Sequence, residues 1–136
     1  MSQIFELALS VEAQHIDALG HVNNVVYVQW MQDVATAHIE QLGLGLREYL
    51  ELKHAMVAVE HQMQYRKAAF AGDQLILRTW LSDLNALYSF REYAFYRPAD
   101  ESLLFTAKTK WACVEIATGR PKRMSPTFTQ AYQPLA

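Results

Sequence analysis

The sequence predicts an α+β fold in which one long, mostly apolar helix packs on an antiparallel sheet, and three observations carry that expectation. Residues 24–42 keep a helical rhythm in which Gln29, Asp33, Thr36 and Glu40 form one narrow polar stripe in an apolar run. From residue 57 onward the period changes from helical to two and stays there. Short turn signals separate the alternating stretches: Gly72-Asp73, Asp83-Leu84-Asn85 and Pro98-Ala99-Asp100. Hairpin-length connections imply antiparallel neighbours. Periodicity alone allows either a sheet curled around the helix or a flat sheet beneath it.

The elements follow in order. Phe5, Leu7, Leu9 and Val11 alternate along a first strand at 5–13. The stretch from His15 to Asn24 is a loop, by its Asp, Gly and paired Asn. Asn23 or Asn24 suits the helix N-cap, because its side-chain oxygen can accept from a free backbone N–H. Gly43 is a fitting stop. Residues 43–54 form a short second helix or an irregular connection, and strands are expected at 57–66, 74–82, 87–97 and 103–116. In the first of these, Val57, Val59, His61, Met63 and Tyr65 are expected on one face and Glu60, Gln62, Gln64 and Arg66 on the other. Ser125-Pro126 starts a short terminal helix.

A chain of 136 residues fits one domain over 1–136. With 51% hydrophobic and 19% charged residues, a packed core is expected. A chain this short buries only about two-thirds of its unfolded surface, so an extended sheet calls for a partner subunit. The net charge of −2 offers no basic field for nucleic acid. No apolar run approaches the roughly 20 residues of a membrane span. Met1-Ser2-Gln3-Ile4-Phe5-Glu6 lacks the pattern of a secretory leader, and Cys113 has no second cysteine to pair with. A cytoplasmic address is the expectation, with Cys113 a buried thiol in a strand. His15, His21, His38, His54 and His61 show no metal-ligand spacing, so neither a metal nor a cofactor is expected.

The chemistry concentrates between Asp17 and Tyr27. A carboxylate, Asp17, precedes a buried helix whose first backbone N–H groups lack intrahelical partners and whose dipole makes that end positive. Such an end can receive a carbonyl oxygen that turns negative under attack. An aspartate nearby can attack that carbonyl or deprotonate water. Gly20 lets backbone approach a ligand closely. Read alone, the arrangement leaves Asp17 either structural or catalytic. His21 can orient a substrate, relay a proton or brace the loop. Tyr27, Trp30 and Met31 are core by spacing and can also wall an acyl group. Arg120, Lys122 and Arg123 form a basic cluster that is either solvated or suited to phosphates.

The block Asp17-Ala18-Leu19-Gly20-His21-Val22-Asn23-Asn24, with Tyr27 and Trp30 after it, resembles the signature of hot-dog-fold acyl-CoA thioesterases of the 4-hydroxybenzoyl-CoA thioesterase family. The segment from Tyr65 to Asp73 resembles that family's second recurring block, and the order of elements agrees over nearly the full length. The resemblance implies a hot-dog fold, an antiparallel sheet wrapped around one long central helix. It implies hydrolysis of an acyl-CoA or acyl-carrier-protein thioester, with Asp17 as nucleophile or general base. The carbonyl-polarising amide falls around Asn24 and acts through backbone. Gly20, His21, Val22, Asn23, Val25 and Tyr27 are then the expected substrate-binding residues, and Arg120, Lys122 and Arg123 the candidates for coenzyme A phosphates. The family is commonly a homodimer with sheets joined edge to edge and sites where subunits meet, and many members are tetramers.

Departures are visible. Many relatives carry an acid two places before the catalytic one, where this chain has His15. The carrier-protein branch often has a polar residue where Leu19 stands, while His21 matches its His. Another branch places its catalytic Glu on the long helix; here Asp33 and Glu40 fall on the polar stripe. Glu60 stands among polar strand neighbours, a lesser candidate. The rival readings are a hot-dog hydratase or dehydratase using His21 with Asp17, and a binding module that kept the fold without turnover.

Overall fold

The protein, seen in a computed structural model, is described over residues 4–134. Met1–Gln3, read above for a leader pattern, lie outside the described residues. Strand β1 (Phe5–Ser10) leads through a loop to α1 (Asn24–Gln41), then α2 (Leu46–Leu52), β2 (His54–Tyr65), β3 (Gln74–Leu84), β4 (Tyr88–Arg97), β5 (Ser102–Glu115) and α3 (Pro126–Ala131). All neighbours in the five-stranded sheet are antiparallel, and the order is β1-β3-β4-β5-β2. The α+β class and the hot-dog arrangement are as expected.

Both ends of α1 are set by local chemistry. The Asn23 side chain accepts from the Val25 N–H at 2.9 Å. At the other end Gly43, at φ 82°, takes the left-handed turn that glycine favours. Its N–H donates to the Glu40 carbonyl, and the Leu44 N–H donates back to Ile39. Tyr27, Trp30, Met31, Val34, Ala35 and His38 are buried at helical spacing. The helix is therefore covered along one stripe and not around most of its girth: Val25 is exposed, and Val26, Val28 and Ile39 are half-buried.

Two expectations about β2 need correction. The short turn after it implies a hairpin with β3, yet the two strands are not paired. Residues 66–73 carry the chain away from β2, which pairs only with β5 and forms the edge opposite β1. The face assignment also changes, because the register shifts between Ala58 and Glu60 and leaves Val59 as an extra residue. Met56, Ala58, His61, Met63 and Tyr65 stand opposite Cys113, Trp111, Thr109, Ala107 and Phe105 on the helix side. Val57 falls on the other face with Glu60, Gln62 and Gln64. Simple alternation missed the bulge because a two-residue period carries no mark of an inserted residue.

The core has two parts. One gathers Tyr27, Trp30, Met31 and Val34 with Leu77, Tyr93, Phe95 and Phe105. The other gathers Leu44, Met56, Leu81, Cys113, Phe128 and Tyr132. Half-buried Trp111 packs against both. Cys113 is a fully buried free thiol in the second part, the structural position expected. No helix among the described residues is long and apolar enough to cross a membrane.

Candidate active site

The loop before α1 is closed by its own backbone. Ile16 bridges Val22, the Asp17 N–H donates to the His21 carbonyl at 3.0 Å, and the Gly20 N–H donates to the Asp17 carbonyl at 3.0 Å. Gly20 sits at φ 86°, where a side chain is strained. Asp17 is half-buried. Its Oδ1 accepts from the Leu19 N–H at 2.9 Å; among the described residues Oδ2 takes no hydrogen bond and the carboxylate joins no ion pair.

His15, which occupies the place of the relatives' acid, braces this loop. Its Nδ1 accepts from the Glu12 N–H at 2.9 Å, and its carbonyl accepts from the Asn23 N–H at 2.9 Å. Its ring stands edge-on to Trp30 at 5.3 Å. It is thus committed to holding the segment that delivers Asp17 and Asn23.

At the helix start, the Asn23 carbonyl and side chain accept from Val26 and Val25. Among the described residues no acceptor faces the Asn24 N–H, one of the unpaired donors every helix start carries. The Asn24 carbonyl accepts from the Tyr65 hydroxyl at 2.9 Å. An open pocket of about 190 Å³ lies here, walled by His21, Val22, Asn24, Tyr27, Tyr65, Arg66, Lys67 and Ala68. Asp17 itself is not in that wall; it belongs to the same closed loop as His21 and Val22, which are.

The remaining expected residues are placed as follows. Tyr27 is 3% exposed, stacks on Phe105 at 4.9 Å and meets Tyr65 edge-on at 5.2 Å. Burial, then the Tyr65 phenol, pushes its own phenol up, so it stays neutral. His21 lies against Phe70 at 6.4 Å. Val25 is 74% and Leu19 79% exposed. With Phe70 and Tyr65 they leave apolar surface around the helix start that no other described residue covers.

Arg120, Lys122 and Arg123 do not join this group within one chain. They follow the far end of β5, where Lys122 approaches Glu115 at 3.8 Å and the Arg120 carbonyl accepts from the Glu115 N–H. Phe105 marks the pocket's end of β5, and the run from there to Glu115 spans roughly 30 Å at about 3.3 Å per residue. Glu60 faces the opposite side of the sheet, with Gln62, Phe90, Lys108 and Lys110. Asp33 is exposed and accepts from Gln29, and Glu40 is exposed; neither helical acid is in the pocket wall.

Sequence reasoning missed the scaffold under the second block. Arg97, at the end of β4, donates to Asp73 at 2.8 Å, to the Ala68 carbonyl at 3.2 Å and to both oxygens of Asp100. Asp73 in turn accepts from the Phe70 N–H, and the Ala69 carbonyl accepts from the Val22 N–H at 2.9 Å. One guanidinium therefore fixes residues 68–73 against the Asp17 loop. Lys67 was also overlooked: it is exposed, in the pocket wall, and in no ion pair among the described residues. The lone signal was a basic pair, Arg66-Lys67, inside a recurring block.

A hot-dog sheet and helix with an aspartate loop folded onto the helix start define the class. Residues 11–132 match the family model described as the thioesterase-like superfamily, and the chain belongs to that family. YneP of Bacillus subtilis (strain 168), whose name carries a proposed acyl-CoA thioesterase activity, is 28% identical over 129 residues, covering 92% of each chain. Among solved structures, the 1,4-dihydroxy-2-naphthoyl-CoA thioesterase Slr0204 of Synechocystis has a TM-score of 0.87 at 17% identity, over 96% of each chain. SAV2348 of Staphylococcus aureus, solved in complex with CoA, has a TM-score of 0.90 at 19% identity, over 100% of this chain and 89% of that one.

Proposed function

We propose that the protein hydrolyses an acyl-coenzyme A, or acyl-carrier-protein, thioester to a free acid and a thiol, with Asp17 as its catalytic carboxylate. The observation that carries this reading is the Asn24 N–H, left without an acceptor at a pocketed helix start onto which the Asp17 loop is folded. The thioester carbonyl oxygen accepts from that N–H, and the positive helix end stabilises charge developing there. A free Asp17 oxygen attacks the carbonyl carbon, the C–S bond breaks, the thiolate leaves and takes a proton from water, and water cleaves the resulting anhydride. In the alternative route Asp17 takes a proton from the attacking water. Family membership and the CoA thioesterases among the similar proteins support the substrate class. Leu19, Val25, Tyr27 and Phe70 offer apolar surface to the acyl group, and Gly20, Val22 and Asn23 shape the backbone beside it.

The working unit in this reading is a homodimer joined through β2. That strand is 12 residues long, lies at the sheet edge, and is exposed from Val57 to Tyr65. Antiparallel pairing of two β2 edges brings the His54 end of one copy toward the Tyr65 end of the other. The partner's basic cluster, Arg120, Lys122 and Arg123, then approaches this chain's pocket and, with Lys67, meets coenzyme A phosphates.

His21 lies in the pocket wall while Asp17 does not, which favours one second reading, a hydratase or dehydratase working through His21. The deciding experiment offers acyl-coenzyme A esters of several lengths, aryl esters and a 3-hydroxyacyl ester. Thiol release supports hydrolysis; loss of water without thiol release supports the lyase. Tight binding of the esters with neither product leaves a binding module.

A further inference from the structure

Beneath the second half of α1 lies a cavity of about 70 Å³, with Ala35, Thr36, Ile39, Ser89, Arg91 and Trp111 among its walls. Arg91 is 2% exposed. Its Nη1 donates to His38 Nδ1 at 2.9 Å and to Thr79 Oγ1 at 3.1 Å, both neutral acceptors. Among the described residues it has no ion pair. A guanidinium keeps its proton inside proteins, so this charge is present and uncompensated. The groups whose ionisation would favour it are the phenols of Tyr93, Tyr132 and Tyr49. Burial pushes all three up, which keeps them neutral.

The same wall holds a second unmet demand. The Trp111 indole N–H is buried and meets the Tyr93 hydroxyl without making a full hydrogen bond. A buried cation and an incompletely satisfied donor around one cavity, with no carboxylate paired to either among the described residues, are short of negative charge and acceptor atoms together. Ordered water would answer the second shortage and not the first.

We propose that this cavity binds a small carboxylate, its oxygens accepting from Arg91 and from the Trp111 indole and its alkyl stem lying against Ala35 and Ile39. Since about 150 Å³ accommodates benzene, a cavity of about 70 Å³ suits an acid of about two or three carbons. The site is separate from the thioester pocket. Ala35 lies about 16 Å along the helix from Asn24, and buried Trp30, Met31 and Val34 pack in between. The proposal therefore stands or falls independently of the thioesterase reading.

The test follows the three indole N–H signals of ¹⁵N-labelled protein during titration with propionate, with propanol and propylamine at matched ionic strength as controls. Trp111→Phe identifies the Trp111 signal. Propionate shifts that signal saturably, leaves those of Trp30 and Trp80 in place, and raises the melting temperature; the controls do neither. Arg91→Gln abolishes the shift while the other two indole signals stay put. In case Arg91→Gln does not fold, Trp111→Phe supplies an independent reading, since it should lose most of the propionate-induced rise in melting temperature. No saturable response to propionate, an equal response to propanol, or full stabilisation of Trp111→Phe overturns the site.

Discussion

The Tyr65 hydroxyl donates to the Asn24 carbonyl at 2.9 Å, tying the last residue of β2 to the first residue of α1. The bond fixes where the edge strand stands relative to the helix end that carries the free Asn24 N–H. Tyr65 is therefore a positioning residue. Tyr65→Phe keeps the ring contacts with Tyr27 and Phe105 and removes only the hydroxyl. It should cost about 1 kcal/mol of stability. In the proposed reaction kcat should fall by about three- to tenfold with KM little changed. Unchanged kcat would show that the helix start needs no such tether.

Asp17→Asn preserves the side-chain oxygen that accepts from Leu19 N–H, so the loop should hold its shape. Thiol release should drop by about a hundredfold or more, because neither attack on the carbonyl nor proton abstraction is open to an amide. A thiol-reactive dye reads the rate and thermal melting checks the fold. Near-normal release would remove Asp17 from the chemistry.

Lys67 should contribute to binding and not to the chemical step. Lys67→Ala is expected to raise KM for a coenzyme A ester by about two- to fivefold with kcat unaltered, and added salt should shrink the difference. A truncated thioester without phosphates should not distinguish variant from parent. If it does, Lys67 acts through some other contact.

His38 gives the fold a pH dependence. Burial, reinforced by the Arg91 charge, lowers it from 6.5 to about 4. With the folded value below the unfolded one, the unfolded chain binds more protons between them, and stability rises with pH across that window. The contribution is complete above about pH 6.5, is lost as pH falls toward 4, and is worth about 3 kcal/mol. Urea unfolding between pH 4 and 8 should show this slope, and His38→Gln should flatten it.

The β2 edge predicts a dimer in sedimentation experiments. Val59, 57% exposed, and Met63, 36% exposed, are the apolar residues to change. Val59→Lys combined with Met63→Lys should shift the chain toward monomer and weaken activity together with assembly. A parent chain that sediments as a monomer at micromolar concentration would exclude this edge as the interface.

How far the sequence could be read depended on where the determining contacts lie. The α1 boundaries were legible because an Asn cap and a glycine stop act within a few residues. The strands were legible wherever one face is buried, as in β3 and β4. What escaped was set at long range. Arg97 reaches back to Asp73 and Ala68, and Tyr65 reaches Asn24 across 41 positions. The separation of Arg120, Lys122 and Arg123 from the pocket depends on strand direction, which a local pattern does not encode.

The inserted residue at Val59 sets the phase of everything that follows it in β2. Were Val59 taken into the ladder opposite Lys110, pairing with β5 would run uninterrupted and each later side chain would turn to the opposite face. The tyrosine that now reaches the helix would turn outward, and glutamine would stand in its place. One step of strand phase thus decides whether the edge of the sheet and the mouth of the pocket are mechanically joined.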